Sequence, residues 1–180
     1  MRAFLGLEPD VSTKLAIDNW RTTSLPPYPT AVPAANFHVT LAFLGTINLE
    51  QQDKLQQQIA VMEDISEFSV NLDIAGYWAK PKAFWIGCSN HASAHLQLVK
   101  KLTTAAHSAD IATQKNAYQA HVTLIRKCTE NPPAPLVTPN FTWRSQAFHL
   151  YESLSTAKGV VYAIRQSWPL MPELAVRKRI

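Results

Sequence analysis

Two short segments carry side chains able to do acid–base chemistry together. The tetrapeptide His38-Val39-Thr40-Leu41 returns later in the chain as His121-Val122-Thr123-Leu124. Both copies read as strands. Side chains two apart on a strand point to one face, about 6.5–7 Å apart along it. His38 and Thr40 therefore share a face, as do His121 and Thr123. The opposite faces are apolar, with Val39, Leu41 and Phe43 in the first copy and Val122 and Leu124 in the second. Each strand is expected to anchor one side in the core and to offer an imidazole beside a hydroxyl on the other.

If both polar faces line one cleft, the site holds two imidazoles and two hydroxyl donors. The ordinary pKa of histidine lies near neutrality, so two of them can divide into one acid and one base within a turnover. Threonine hydroxyls can donate to non-bridging phosphate oxygens and stabilise the charge that builds up there. Such a set suits cleavage of a phosphodiester without a metal. One imidazole activates water while the other protonates the leaving oxygen. Arg126, just beyond Thr123, adds a cation for the phosphate, with Lys127 a weaker candidate.

The elements that must position these groups follow from periodicity and turn chemistry. Residues 2–7 read as a strand. Pro9 and Asp10 open a helix to about Trp20, with Val11, Leu15 and Ala16 on one face. Pro26, Pro27, Pro29 and Pro33 mark an extended loop ahead of the first motif strand at 37–44, which Gly45 closes. Asn48 caps a second helix to about Met62, carrying Leu49, Leu55, Ile59 and Met62 at helical spacing. A strand is expected over 68–79, with Phe68, Val70, Leu72 and Ile74 on one face. Another follows at 83–88. A helix over 91–108 has an apolar stripe of Leu96, Val99, Leu102 and Ala106. The second motif strand spans 118–126, and strands near 141–151 and 159–168 finish the chain, joined by a turn at Lys158-Gly159. The order β-α-β-α-β-β-α-β-β-β is an α+β pattern with two similar halves.

A chain of 180 residues, 47% of them hydrophobic, has ample material for one core, and residues 1–180 read as a single domain. No apolar run is long enough to span a membrane, and the short apolar run at the N-terminus reads as a core strand rather than a signal peptide. Cys88 and Cys128 form no spacing motif, which points to reduced thiols and a cytoplasmic protein. The net charge of +4 permits an RNA or phosphate partner without requiring one. Part of that charge sits in Arg177-Lys178-Arg179, read as a solvated terminus.

The run from His38 to Gly45 (His-Val-Thr-Leu-Ala-Phe-Leu-Gly) resembles the first motif of the two-histidine (2H) phosphoesterases, in the RNA 2′,3′-cyclic phosphodiesterase branch also called the LigT or 2′-5′ RNA ligase type. The run from His121 to Arg126 resembles the second motif, His-x-Thr-Leu-x-Arg. The opening strand with Arg2 and Phe4 is also similar, as is the Tyr162…Trp168-Pro169-Leu170 stretch. In this branch proline often precedes the second histidine, where this chain has Ala120. The resemblance implies a bilobal fold, two pseudo-twofold-related lobes of antiparallel sheet with outer helices around a central cleft. It implies hydrolysis of a terminal RNA 2′,3′-cyclic phosphate to a 2′-phosphate, with neither metal nor cofactor. His38 would donate the proton and His121 would accept one. Thr40, Thr123 and Arg126 would hold the phosphate, with Phe43 against the substrate. The partner would be RNA with a cyclic phosphate end, tRNA fragments among the candidates, and the protein a monomer. In reverse, the site would join RNA ends through a 2′-5′ linkage.

Two other readings remain open. The same fold could act on a small cyclic nucleotide, an ADP-ribose cyclic phosphate or a 2′-5′ oligonucleotide. The chain could also be a non-catalytic RNA-binding module. Other residues attract attention with less reason. His91 and His95 stand at a metal-ligand spacing, but Ala92 occupies the place where the zincin pattern needs Glu, so the pair reads as a solvated helix face. His107 sits near a helix C-terminus, where positive charge is favoured, and His149 reads as structural. Phe43, Tyr28, Trp78, Trp85 and Tyr151 are the aromatics able to stack on a base, each with a core role as the plainer reading.

Overall fold

Antiparallel pairing organises every sheet of the molecule. The computed structural model describes residues 1–114, 116–157 and 159–172. The strands are β1 (Arg2–Leu7), β2 (Val39–Thr46), β3 (Phe68–Leu72), β4 (Ile74–Trp78), β5 (Ala83–Gly87), β6 (His121–Ile125), β7 (Phe141–Ser145), β8 (Ala147–Thr156) and β9 (Gly159–Pro169). The helices are α1 (Val11–Ser24), α2 (Leu49–Ala60) and α3 (Ser93–Ser108), with a 3₁₀ turn at Ala34–Asn36. One sheet has the order β2-β1-β8-β9, a second β4-β5-β6, and β3 pairs with β7 alone. The expected α+β class holds. Lys158 of the expected turn, and the tail Arg177-Lys178-Arg179, lie outside the described residues.

Two expected strands each divide between sheets. The run 68–79 breaks at Asp73, whose carboxylate accepts from the Ser89 backbone N–H at 2.7 Å and the Ser89 hydroxyl at 2.6 Å. Those bonds turn the chain out of β3, which pairs with β7, and into β4, which pairs with β5. The run 141–151 breaks at Gln146, whose carbonyl accepts from Leu170 N–H at 2.8 Å.

α1 and α2 begin where the sequence places them, whereas α3 begins at Ser93, two residues after its expected start. Asp10 caps α1 by accepting from Thr13 N–H, and Asn48 and Gln51 form a reciprocal capping box on α2. Their buried faces match the expected ones only in part. In α1 the core side is Thr13, Ile17, Trp20 and Ser24, while Val11 and Leu15 are 73% and 61% exposed. Trp20 meets Phe141 of β7 edge-on at 6.0 Å. In α2 Leu55 and Ile59 are buried and Leu49 is exposed. In α3 the buried set is His95, Leu98, Leu102, Ala105 and Ala106, with Leu96 turned outward. Among the described residues no helix is long and apolar enough to cross a membrane.

Candidate active site

The proline-rich loop before the first motif is the device that brings the two motifs together. Val32 N–H donates to Leu124 O at 2.8 Å, and Arg126 N–H donates to Thr30 O at 3.1 Å. Residues 30–32 thus run as an added edge beside β6, and a few residues later the same chain delivers His38. Arg21 of α1 reinforces the join by donating to the carbonyls of Val32 and Leu124. As a result β2 and β6, strands of different sheets, approach within 8 Å at their Cα atoms.

His38 lies one residue ahead of β2, and His121 is the first residue of β6. Each imidazole is held the same way. His38 Nδ1 meets Asn36 O at 2.7 Å, and His121 Nδ1 meets Gln119 O at 2.8 Å. A carbonyl only accepts, so Nδ1 carries the proton in both rings and Nε2 is left with its lone pair. Both histidines are half-buried. Burial pushes the His38 pKa down to about 4, against the Asn36 hydrogen bond, which raises it; the nearby Arg126, His121 and Lys14 push it down further. Burial first, and Arg126 next among the lowering causes, also holds His121 below its ordinary value. Both rings are therefore neutral at pH 7 and sense the same guanidinium.

Aromatic walls fix each ring from the side. His38 packs on Phe4 at 4.6 Å and meets Tyr162 edge-on at 4.7 Å. His121 meets Trp78 edge-on at 4.5 Å, with Trp85 at 6.0 Å. The Trp85 ring lies flat across its sheet, over Gly76 and Gly87. A Cβ on Gly76 would fall 2.3 Å from the ring, and one on Gly87 would fall 2.8 Å from it. Arg126 Nη2 donates to the Tyr162 hydroxyl at 2.9 Å, so the cation of the second motif reaches the aromatic wall of the first.

Thr40 and Thr123 are both partly exposed on the faces of their histidines, as expected. Phe43 is not where strict alternation put it. The pairing of β1 with β2 shifts register twice, and the result sets Phe43 opposite Phe4 and Thr40 opposite Gly6. Phe43 therefore shares the site face with Thr40, with Arg2 over its ring at 5.5 Å. Gly45 is not a terminator. It sits inside β2 at φ +69°, a backbone conformation that glycine adopts without strain, beside one of the shifts.

The remaining aromatics separate. Trp85 and Tyr151 are buried, Trp78 walls His121, and Tyr28 is half-buried beside a shallow pocket that Lys127 and Cys128 also line. His149 is half-buried, with Nδ1 2.8 Å from the Ser167 hydroxyl. His107 meets Thr113 at 2.8 Å near the end of α3.

The reading of His91 and His95 as a solvated face is overturned. His95 is 1% exposed, bonds the Tyr118 hydroxyl at 2.9 Å and stacks on Phe68 at 4.8 Å. His91 precedes α3, and its Nε2 accepts from Ala120 N–H at 3.2 Å. Among the described residues no three His, Cys, Asp or Glu side chains gather as a metal-ligand group.

Sequence reasoning missed the groups that orient the histidines, because they are backbone carbonyls and carry no residue-type signal. It also missed the site roles of Phe4 and Tyr162, whose only mark was the similarity of their segments to the family pattern.

Comparison with known proteins agrees with this arrangement. The LigT like Phosphoesterase family model matches residues 23–85, a stretch that contains His38 and Thr40. The RNA 2′,3′-cyclic phosphodiesterase of Escherichia coli (strain K12) is 27% identical over 170 residues, covering 94% of this chain and 96% of that protein. A crystal structure of a phosphoesterase superposes with a TM-score of 0.87 at 26% identity, covering 94% of this chain and 98% of that one. E. coli LigT complexed with 3′-AMP gives 0.84 at 26% identity, covering 94% and 97%. Both motifs stand on a fold that the chain shares over nearly its whole length with these LigT-like phosphoesterases.

Proposed function

We propose that the protein is an RNA 2′,3′-cyclic phosphodiesterase that opens a terminal cyclic phosphate to a 2′-phosphate. The observation that carries this reading is the matched pair of imidazoles. Each presents a bare Nε2, each stands beside a threonine, and both feel Arg126. The E. coli relative, an RNA 2′,3′-cyclic phosphodiesterase, supports the same chemistry.

Water attacks phosphorus opposite the 3′ oxygen, and His121 Nε2 takes its proton. The P–O3′ bond breaks, and Nε2–H of His38 gives its proton to the departing 3′ oxygen. His121 leaves the cycle protonated and His38 neutral, and exchange with solvent resets both. Thr40, Thr123 and Arg126 hold the non-bridging oxygens as charge gathers on them, and Phe43 lies against the sugar or base. The acid and base labels follow the family pattern; the two rings are held alike. His38 is neutral in the free protein, so its proton must arrive with the anionic substrate. The substrate class is RNA ending in a cyclic phosphate, tRNA fragments included, acted on by a cytoplasmic monomer built as one domain.

The test is turnover of a short RNA bearing a 2′,3′-cyclic phosphate, run beside cyclic mononucleotides, ADP-ribose cyclic phosphate and 2′-5′ oligonucleotides. The RNA is expected to be preferred, EDTA to leave the rate intact, and His38→Ala or His121→Ala each to lower kcat at least ~10²-fold. Full activity in either variant would sink the acid–base roles. RNA binding without turnover of any of these substrates would point instead to a binding module.

A further inference from the structure

One peptide group links a histidine outside the site to a histidine inside it. The carbonyl of the Gln119–Ala120 peptide accepts from His121 Nδ1–H at 2.8 Å. The N–H of that same peptide donates to His91 Nε2 at 3.2 Å. The unit is pinned on both sides. Cys88 N–H donates to Ala120 O at 3.1 Å, Gln119 Nε2 donates to Cys88 O at 2.8 Å, and the Tyr118 hydroxyl meets buried His95 at 2.9 Å. His95 and Tyr118 also flank the His91 ring, at 5.6 and 5.7 Å.

We propose that His91 is a positioning residue for His121, acting through the Gln119–Ala120 peptide. An acceptor on a peptide N–H draws electron density toward the carbonyl of that peptide, because hydrogen bonds in a chain polarise one another. The carbonyl then binds Nδ1–H of His121 more firmly, keeps its Nε2 free of a proton and aims that lone pair into the cleft. The same logic holds outer partners of metal-bound imidazoles in place, here with a peptide between the two rings. Segment 118–120 is not part of β6, so strand pairing alone does not fix that carbonyl.

The inference rests on His121 acting as the base of the proposed reaction, and its spectroscopic test does not need turnover. In the wild-type protein at pH 7, side-chain 15N shifts should show the Nδ1–H tautomer for both His91 and His121. A His91 imidazolium, or its Nε2–H tautomer, would overturn the proposal outright. His91→Phe removes the acceptor. It should lower kcat about tenfold with KM within twofold, move the acidic limb assigned to His121 to lower pH, and give His121 a mixture of tautomers. His91→Gln, which restores an acceptor oxygen, should recover most of the rate and the single tautomer. An unchanged His121 spectrum in folded His91→Phe would refute the linkage, whatever the activity on cyclic phosphates. If His91→Phe fails to fold, the His91→Gln spectrum and the wild-type tautomers still decide.

Discussion

Binding of an anion should load the proton that His38 needs. Burial holds this imidazole near pKa 4, about 2.5 units under its ordinary value of 6.5. At pH 7 only about one free molecule in a thousand carries the proton, a deficit of about 3 kcal/mol relative to a solvated histidine. A single negative charge about 4 Å from the ring, at an effective dielectric constant near 20, contributes about 4 kcal/mol of attraction. The two figures are of one size, so a phosphate in the cleft is enough to offset the burial. Sulfate is a suitable probe, because its charge stays constant between pH 4 and 8. In an NMR titration, free His38 should protonate near pH 4, and sulfate-saturated His38 about two units higher. Between those values binding takes up a proton, so sulfate affinity should rise as pH falls through that window and level off near pH 4, with a total gain of about a hundredfold. Calorimetry in two buffers of different ionisation enthalpy measures the same uptake. Free His38 titrating at 6 or above would refute the burial argument. An unmoved His38 under saturating sulfate would show that the anion does not sit beside it.

Gly76→Ala should be damaging although glycine and alanine differ by one methyl. Its Cβ would lie 2.3 Å from the Trp85 ring, well inside van der Waals contact, so the ring must move by about 1 Å or more. We expect a loss of about 1–3 kcal/mol in urea unfolding, and a kcat decrease of up to ~10²-fold because Trp85 stands beside His121; wild-type stability together with wild-type kcat would contradict both. Acid should also weaken the fold in a defined window. His38 and His95 are both pushed to about 4 by burial, so the unfolded chain binds more protons between 6.5 and 4. Their stability contribution is complete above pH 6.5 and is lost as pH falls to 4, about 3 kcal/mol for each ring. Urea midpoints taken from pH 7 to 4.5 measure this, and a flat series would contradict it.

What the sequence disclosed depended on whether a feature is local. The caps Asp10 and Asn48 are read by hydrogen bonds within a few residues, and both stand where turn chemistry puts them. The two His-Thr faces follow from alternation over three residues. Phe43 was misplaced because one of the register shifts lies between it and Thr40, and a shift depends on the partner strand. The division of 68–79 was hidden for a related reason. Alternation continues through Asp73, while the choice of sheet rests on Ser89, far along the chain. His95 looked solvated because histidine is usually at least partly exposed, and only Tyr118 and Phe68 supply the partners that let it be buried.

Both site histidines are steered by a carbonyl two residues upstream, so each ring takes its direction from its own stretch of chain. Neither strand needs the other in order to aim its Nε2. What must be set by long-range assembly is the gap between two already aimed groups, and the join of residues 30–32 to β6 sets it. The span between the two imidazoles is thus a separate, adjustable quantity. Lengthening or shortening the chain between Val32 and Ala34, ahead of the turn that carries Asn36, would change which phosphate geometry fits while leaving the carbonyl partner of each imidazole in place.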